Sequence, residues 1–239
     1  MLFVVAAAAL AAPAASARAG VSCASPPGGE ARVAALDGRE RLRWIDARLG
    51  QEAAKGKLWA GAWAIGSGAG GRGSLAPVPV VAAGDRIDWY TGAATAAIGV
   101  IPFLVSPLAV TRDAPRLRSA MATIPWDDDA RVCALLADAE HKLATDAADE
   151  HWQQGWWMHA GNIAFNTGVM LFLGLGYHHW TSGIINGASG AVVGETIILT
   201  QPTGAIRDLG AYNRGDLSTP GAGNESLRRA VGLTYATLF

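Results

Sequence analysis

Two apolar stretches, Trp156 to Tyr177 and Trp180 to Thr200, follow each other with only His178 and His179 between them. Each is close to the ~20 residues with which a helix crosses about 30 Å of hydrocarbon. Apart from His159 and Glu195, neither stretch carries an acidic, basic or imidazole side chain. A helix that is apolar all round must be buried on every side or sit in a solvent that is itself apolar. The composition favours the second case. Of 239 residues, 51% are hydrophobic and 16% charged, against ~25% charged in ordinary soluble domains. The expected first partner is therefore the lipid bilayer. A net charge of −1 gives no basic footprint for nucleic acid. Two cysteines are too few for a disulfide-rich scaffold or a four-cysteine zinc site. The apolar content also excludes a disordered chain.

Two earlier stretches complete a set of four. Ile87 to Val110 is long and carries only Asp88, whereas Trp59 to Val81 is interrupted by Gly66, Gly68, Gly70, Gly71, Arg72, Pro77 and Pro79. Trp59, Trp63, Trp89, Tyr90, Trp156, Trp157, Tyr177 and Trp180 fall near the ends of these stretches, as amphipathic rings do at headgroup level. The stretches come in pairs, and the pairs repeat. Gly92-Ala-Ala-Thr-Ala-Ala-Ile-Gly99 aligns without gaps on Gly187-Ala-Ser-Gly-Ala-Val-Val-Gly194, and the same register sets Pro107 opposite Pro202, an offset of 95 residues.

Ahead of each pair lies a helical pattern with one apolar face. Leu42, Ile45, Leu49 and Ala53 form the first, and Val132, Leu135, Leu136, Ala139 and Leu143 the second, behind a cap expected at Asp127 to Asp129. The expected fold is all-α: a polytopic membrane bundle of two tandem repeats, each a surface helix plus a transmembrane hairpin. Its divisions are an export signal at 1–19, a first repeat at 20–110, a second at 111–202 and a C-terminal tail at 203–239. Gly183, Gly187 and Ala191, and likewise Gly190 and Gly194, recur every fourth residue. Small residues at that spacing let helices approach closely, either inside the bundle or between copies in a homo-oligomer.

The export signal rests on the apolar run Leu2 to Ala12, the break at Pro13 and the Ala17-Arg18-Ala19 cleavage pattern. Gly20-Val21-Ser22-Cys23 lacks the Leu of a lipid-attachment motif. Excluding Arg18, sixteen Lys and Arg fall on the surface-helix side and only Arg72 and Arg86 on the hairpin-tip side. The positive-inside rule puts the sixteen in the cytoplasm, whereas an export signal puts them outside. We expect a bacterial inner membrane with the surface helices in the periplasm, where Cys23 and Cys133 share a side on which disulfides form.

An ionisable residue within a membrane span is a functional-site hypothesis by default. His159, Asn162 and Asn166 stand at i, i+3 and i+7 on one helical face. Asn162 is about six residues into the third span and Glu195 seven before Pro202, so both lie about 9–10 Å from the same interface. His159, Asn162, Asn166 and Glu195 thus form the candidate intramembrane polar pocket. Glu195 matches Val100 in the first repeat, so the pocket is asymmetric. Other motifs are weaker. Gly66 to Gly71 fits a dinucleotide pattern that needs a strand before it and a helix after it, and Pro77 and Pro79 oppose that helix. His178-His179 reads as a wet turn. No H-E-x-x-H or G-x-S-x-G is present, so no cofactor, metal or enzymatic nucleophile is expected.

The segments Arg43-Trp-Ile-Asp-Ala-Arg48, Gly84-Asp-Arg-Ile-Asp88, Trp157-Met-His-Ala-Gly-Asn162 and Leu199-Thr-Gln-Pro-Thr-Gly204 resemble uncharacterised four-span predicted membrane proteins of Gram-negative bacteria. The resemblance covers about residues 39–210 and implies a membrane location but no activity. Two functions stay open. The bundle binds or conducts a small solute or proton through the pocket, or it is a structural or interaction protein whose surface helices recruit a partner.

Overall fold

Asp37 starts the first long helix by accepting hydrogen bonds from the backbone N–H groups of Arg39 (2.7 Å) and Glu40 (3.0 Å). Nothing stops that helix for 38 residues. Its glycines each cost about 1 kcal/mol relative to Ala, but no proline intervenes before Pro77. The expected surface helix and first span are therefore one rod, Gly38–Leu75, about 57 Å long at 1.5 Å per residue. The computed structural model describes residues 20–218, all helices, turns and loops, with no strand among them. The export signal expected at 1–19 and the tail from 219 onward lie outside the described residues.

In chain order the helices are α1 (Ala31–Ala34), α2 (Gly38–Leu75), α3 (Arg86–Val105), α4 (Val110–Thr123), α5 (Asp129–Gln153), α6 (Trp156–Tyr177), α7 (Trp180–Thr200) and α8 (Gly204–Asn213). A 3₁₀ turn at Ala83–Asp85 leads into α3. The Asp128 carboxylate caps α5 by accepting from Arg131 N–H at 3.1 Å, inside the range expected for that cap. His178 ends α6 in the left-handed conformation, with φ of 62°.

Two regions divide the apolar residues between them. The cap consists of the first half of α2 with α4, α5 and α8. Its seam runs along Gly38, Leu42, Ile45, Leu49, Glu52, Ala53 and Gly56 of α2 and Val132, Leu136, Ala139, Leu143, Asp146, Ala147 and Glu150 of α5, all buried. Each α5 residue of that series lies 94 positions after its α2 counterpart. α4 covers α2 with Val110, Ala114 and Leu117, and α8 covers α5 with Ala205, Asp208 and Tyr212. The first ten residues of the expected tail after Thr203 are thus a packed helix, and the apolar stretch expected to run to Val110 ends in a break at Ser106-Pro107 before α4.

The hairpins invert that distribution. The second half of α2 packs on α3, and α6 packs on α7. Their outer faces leave Ile65 76%, Leu104 70%, Ile185 62%, Val192 66% and Leu199 71% exposed. Apolar surface on this scale marks contact with a membrane or a partner. Two segments are long and apolar enough to cross a membrane, Ala83–Thr123 and Trp180–Asn213, with only 11% and 17% of their apolar windows buried.

The α7 glycines act within the chain. A Cβ on Gly183 would lie 2.7 Å from the Met170 carbonyl oxygen, and one on Gly187 2.8 Å from that of Asn166. Of the two uses expected for this spacing, Gly183 and Gly187 serve packing inside the bundle, against α6.

Cys23 and Cys133 are joined in a disulfide with Cα atoms 5.4 Å apart, which engages the sulfur that a lipid anchor would have used. The bond ties the segment before α1 to α5 across a separation of 110 residues. A loop of that size, opened by reduction, costs about 3–5 kcal/mol in the chain-entropy account. Urea unfolding of the cap with and without reductant measures this. Reduction is expected to shift the midpoint downward, and an unchanged midpoint contradicts it.

Candidate functional site

His159 sits in the first turn of α6, and Asn162 and Asn166 follow on the same face toward α7. The helices come close enough for these side chains to meet α7 because Gly190 and Gly194 carry no Cβ. A Cβ on Gly194 would fall 2.0 Å from Asn162 Oδ1, and one on Gly190 2.1 Å from Asn166 Oδ1. Asn162 Nδ2 donates to Glu195 Oε1 at 2.9 Å and to the Ala191 carbonyl at 2.9 Å. His159 Nδ1 stands 2.5 Å from Glu195 Oε2.

Asn166 does not reach Glu195, contrary to its expected role as a direct partner. Its amide donates instead to the Asn162 carbonyl oxygen (2.9 Å) and to Asn162 Oδ1 (2.8 Å). That fixes which way the Asn162 amide points. With Oδ1 engaged as acceptor, Nδ2 is left to donate to the carboxylate. Three of the four expected residues thus form the contact, and the fourth, which is buried, orients it. The pocket lies near the cap end of the hairpin, because Glu195 precedes the end of α7 by five residues, about 7–8 Å. The His159 and Glu195 side chains lie partly on the outside of the helix pair, 35% and 29% exposed.

At the opposite end of the hairpins His179 does not stand alone in a wet turn. Its Nδ1 is 2.8 Å from Asp88 Oδ1, at side-chain exposures of 24% and 15%. The α6–α7 turn is therefore tied to the start of α3. His178 remains exposed. Gly66 to Gly71 lies inside α2, with neither the strand nor the loop that a dinucleotide requires.

A second polar site lies in the cap and was not read from the sequence. Glu52 (3% exposed), Asp146 (1%), Glu150 (2%) and Asp208 (6%) are all buried, with Asp113 and Asp149 beside Asp146. They gather where α2, α4, α5 and α8 converge, at the foot of both hairpins. Glu150 Oε2 accepts from Ile206 N–H at 3.2 Å, in the first turn of α8, and Asp149 Oδ2 from Ala109 N–H at 3.3 Å, at the start of α4. Helix N-termini favour such negative partners. The Glu52 carboxylate lies against Gly204, where a Cβ would fall 1.7 Å from its carboxyl carbon. Arg48 stands 3.4 Å from Asp208, and Lys55 pairs with Glu52.

Burial raises three of these acids, Asp146, Glu150 and Asp208. Burial, with the charge and hydrogen bond of Asp113, pushes Asp146 up to about 8. Glu150 is pushed up to about 7, mainly by burial, against the backbone N–H groups of Ile206 and Ala205 that favour its charged form. Burial also raises Asp208, against the Arg48 charge. The signal in the sequence was periodic. The apolar series Leu42, Ile45, Leu49 continues at Glu52, and Leu136, Ala139, Leu143 continues at Asp146 and Glu150. A charge on the core stripe of an amphipathic helix is the departure worth following.

Among the described residues no three His, Cys, Asp or Glu side chains are arranged to hold a metal ion. No protein family, curated protein or solved structure matches the chain.

The glycine at 194 supplies a direct test of the pocket geometry. Gly194→Val is expected to displace Asn162, break its bond to Glu195 and cost about 1–3 kcal/mol, as overpacking does. Gly61, whose Cβ position is open within 4 Å, is the control. Gly61→Ala is expected to be neutral or to stabilise by up to about 1 kcal/mol. Thermal denaturation in detergent compares the two, and equal effects would contradict the close approach.

Proposed function

We propose that the chain is a four-span integral protein of a bacterial inner membrane, built from two tandem helix-and-hairpin units. Its α6–α7 pocket takes up a small polar solute or a proton. The apolar outer faces of both hairpins support the membrane reading. The repeat is supported by the 94-residue correspondence of the cap seam and by the element bounds. Arg86–Val105 matches Trp180–Thr200 at an offset of 94 or 95 residues, and Val110 and Gly204, which begin α4 and α8, are 94 apart, although α8 is four residues shorter. Orientation is argued from the Cys23–Cys133 bond, which favours an oxidising compartment and hence the periplasm for the cap. The Lys and Arg distribution points the other way, and we give the covalent bond the greater weight.

The observation that carries the pocket is an ionisable pair, His159 and Glu195, in contact on two otherwise apolar helices. An imidazole 2.5 Å from a carboxylate can pass one proton between the two groups, and histidine is the side chain best suited to exchanging it near neutral pH. The Asn162 bond to the Ala191 carbonyl favours a second reading, a structural or interaction protein in which the network only locks α6 to α7.

Carbonate extraction tests the location, and release into the soluble fraction would overturn it. Proton uptake into liposomes carrying the purified protein and an enclosed pH dye tests the pocket. Glu195→Gln is expected to lower uptake at least about tenfold, the scale on which a lost proton-transfer group acts, with an unchanged melting temperature. A lowered melting temperature with normal uptake supports the structural reading instead.

A further inference from the structure

The two halves of the cap place acids in matching positions but neutralise only one set. Glu52 and Asp146 correspond at the 94-residue offset. Asp113 of α4 and Asp208 of α8 correspond at the 95-residue offset. The pairing follows the same relation. Asp208 is close enough to Glu52, across α8 and α2, to feel its charge, and Asp113 is within hydrogen-bond reach of Asp146 across α4 and α5. The Glu52–Asp208 set has two cations, Lys55 on Glu52 and Arg48 on Asp208. In the other set the residue matching Lys55 is Asp149, and the one matching Arg48 is Lys142, which pairs with Asp138 on the surface. The cation paired there is Arg116, 3.6 Å from Asp113 Oδ1 and 71% exposed.

Asp146 is therefore 1% exposed, with no hydrogen-bond donor for either oxygen among the described residues. It faces the carboxyl group of Asp113, with Asp149 and Glu150 also near. Two carboxylates within hydrogen-bond reach in a buried site cannot both ionise. A proton between them supplies the missing donor and removes one charge. We propose that Asp113 and Asp146 form a proton-sharing carboxyl pair that holds α4 against α5, and that loss of this proton loosens the joint between cap and first hairpin. The proton is the ligand, and its binding site is the half in which Asp149 stands where the other has Lys55. The joint matters because α4 continues from α3 through Ser106-Pro107, so movement of α4 is carried to the hairpin.

Other groups face the pair. From α5 come Asp149 and Glu150, and from α4 Arg116; Glu52, Lys55 and Arg48 of α2 and Asp208 and Arg207 of α8 lie one step further out, around Glu150 and Asp208. Asp149 and Glu150 add repulsion, and the α2 cations are engaged by Glu52 and Asp208. The direction of the pH effect follows from the raised Asp146. The closed joint keeps a proton that the open one gives up, so stability is full near the ordinary carboxylate value of 3.8 and is lost as pH rises toward about 8.

Hydrogen–deuterium exchange of the α4 amides, corrected for the intrinsic rate, reads the joint directly. In the full protein, α4 protection is expected to fall up to about tenfold per pH unit between about pH 5 and 8, the slope of one linked proton, and then level off. Asp146→Asn places a permanent donor beside Asp113 and is expected to abolish the slope with α4 protected throughout. Glu150→Gln, whose carboxylate serves α8, is expected to leave the α4 slope in place. A pH-independent α4 in the unmutated protein overturns the proposal, and so does a slope that survives in Asp146→Asn. Infrared difference spectra of the unmutated protein between pH 5 and 9 give a readout that needs no variant to fold. A protonated-carboxyl band must disappear across that range, and its absence at pH 5 also overturns the pair.

Discussion

The contact on which the rest of the molecule depends is the seam between α2 and α5. Leu42, Ile45, Leu49, Leu136, Ala139 and Leu143 are at most 1% exposed and form much of the apolar core of the described chain. Outside that cap the helices bury little, and their apolar side chains face outward. The hairpins are therefore positioned from one end. α2 runs from the seam into the first hairpin as one rod, and α5 leads into α6 through only Gln154 and Gly155. Backbone polar groups in the hairpins are satisfied within each helix, which is the requirement for any chain in hydrocarbon.

The same seam explains why the polar sites differ between the halves. Matching helices bring matching positions together, so a residue change in one half alters the chemistry without altering the packing. Glu195 has Val100 as its counterpart, and Lys55 has Asp149. The first change gives α7 a carboxylate that α3 lacks. The second removes a cation from beside a buried acid. In both cases the shape of the helix pair is kept, because the altered residues are not the glycines and leucines that set the interhelical distance. Gly183, Gly187, Gly190 and Gly194 hold α7 against α6 at a distance where Asn162 and Asn166 touch it directly.

The helices were largely readable from the sequence where one signal controlled them. α6 and α7 follow from apolar length and their bounding aromatic residues, α5 from the Asp128 cap and its apolar spacing. The meeting of His159 and Asn162 with Glu195 was readable from helical spacing and antiparallel depth, since two straight helices joined by two residues leave few alternatives. The continuity of α2 was not. Its glycines and the change from an amphipathic to an apolar pattern near Trp59 suggested a break, whereas helix geometry needs only the absence of proline and a supporting neighbour. The acid cluster escaped notice because Glu52, Asp113, Asp146 and Asp208 are far apart in the chain and look like ordinary surface charges on amphipathic helices.

By itself the sequence determined the local matters: helix type and the division between an amphipathic cap and apolar hairpins. These depend on neighbours three, four or seven positions away, which helix periodicity brings together whatever the rest of the chain does. Tertiary structure decided which helices face each other. That choice placed α8 on α5 rather than in a free tail, closed Cys23 onto Cys133, turned Asn166 away from Glu195 and set Asp113 against Asp146. Burial and pairing are properties of the facing surfaces, so the protonation of an acid in the cap is fixed only when the opposite helix arrives.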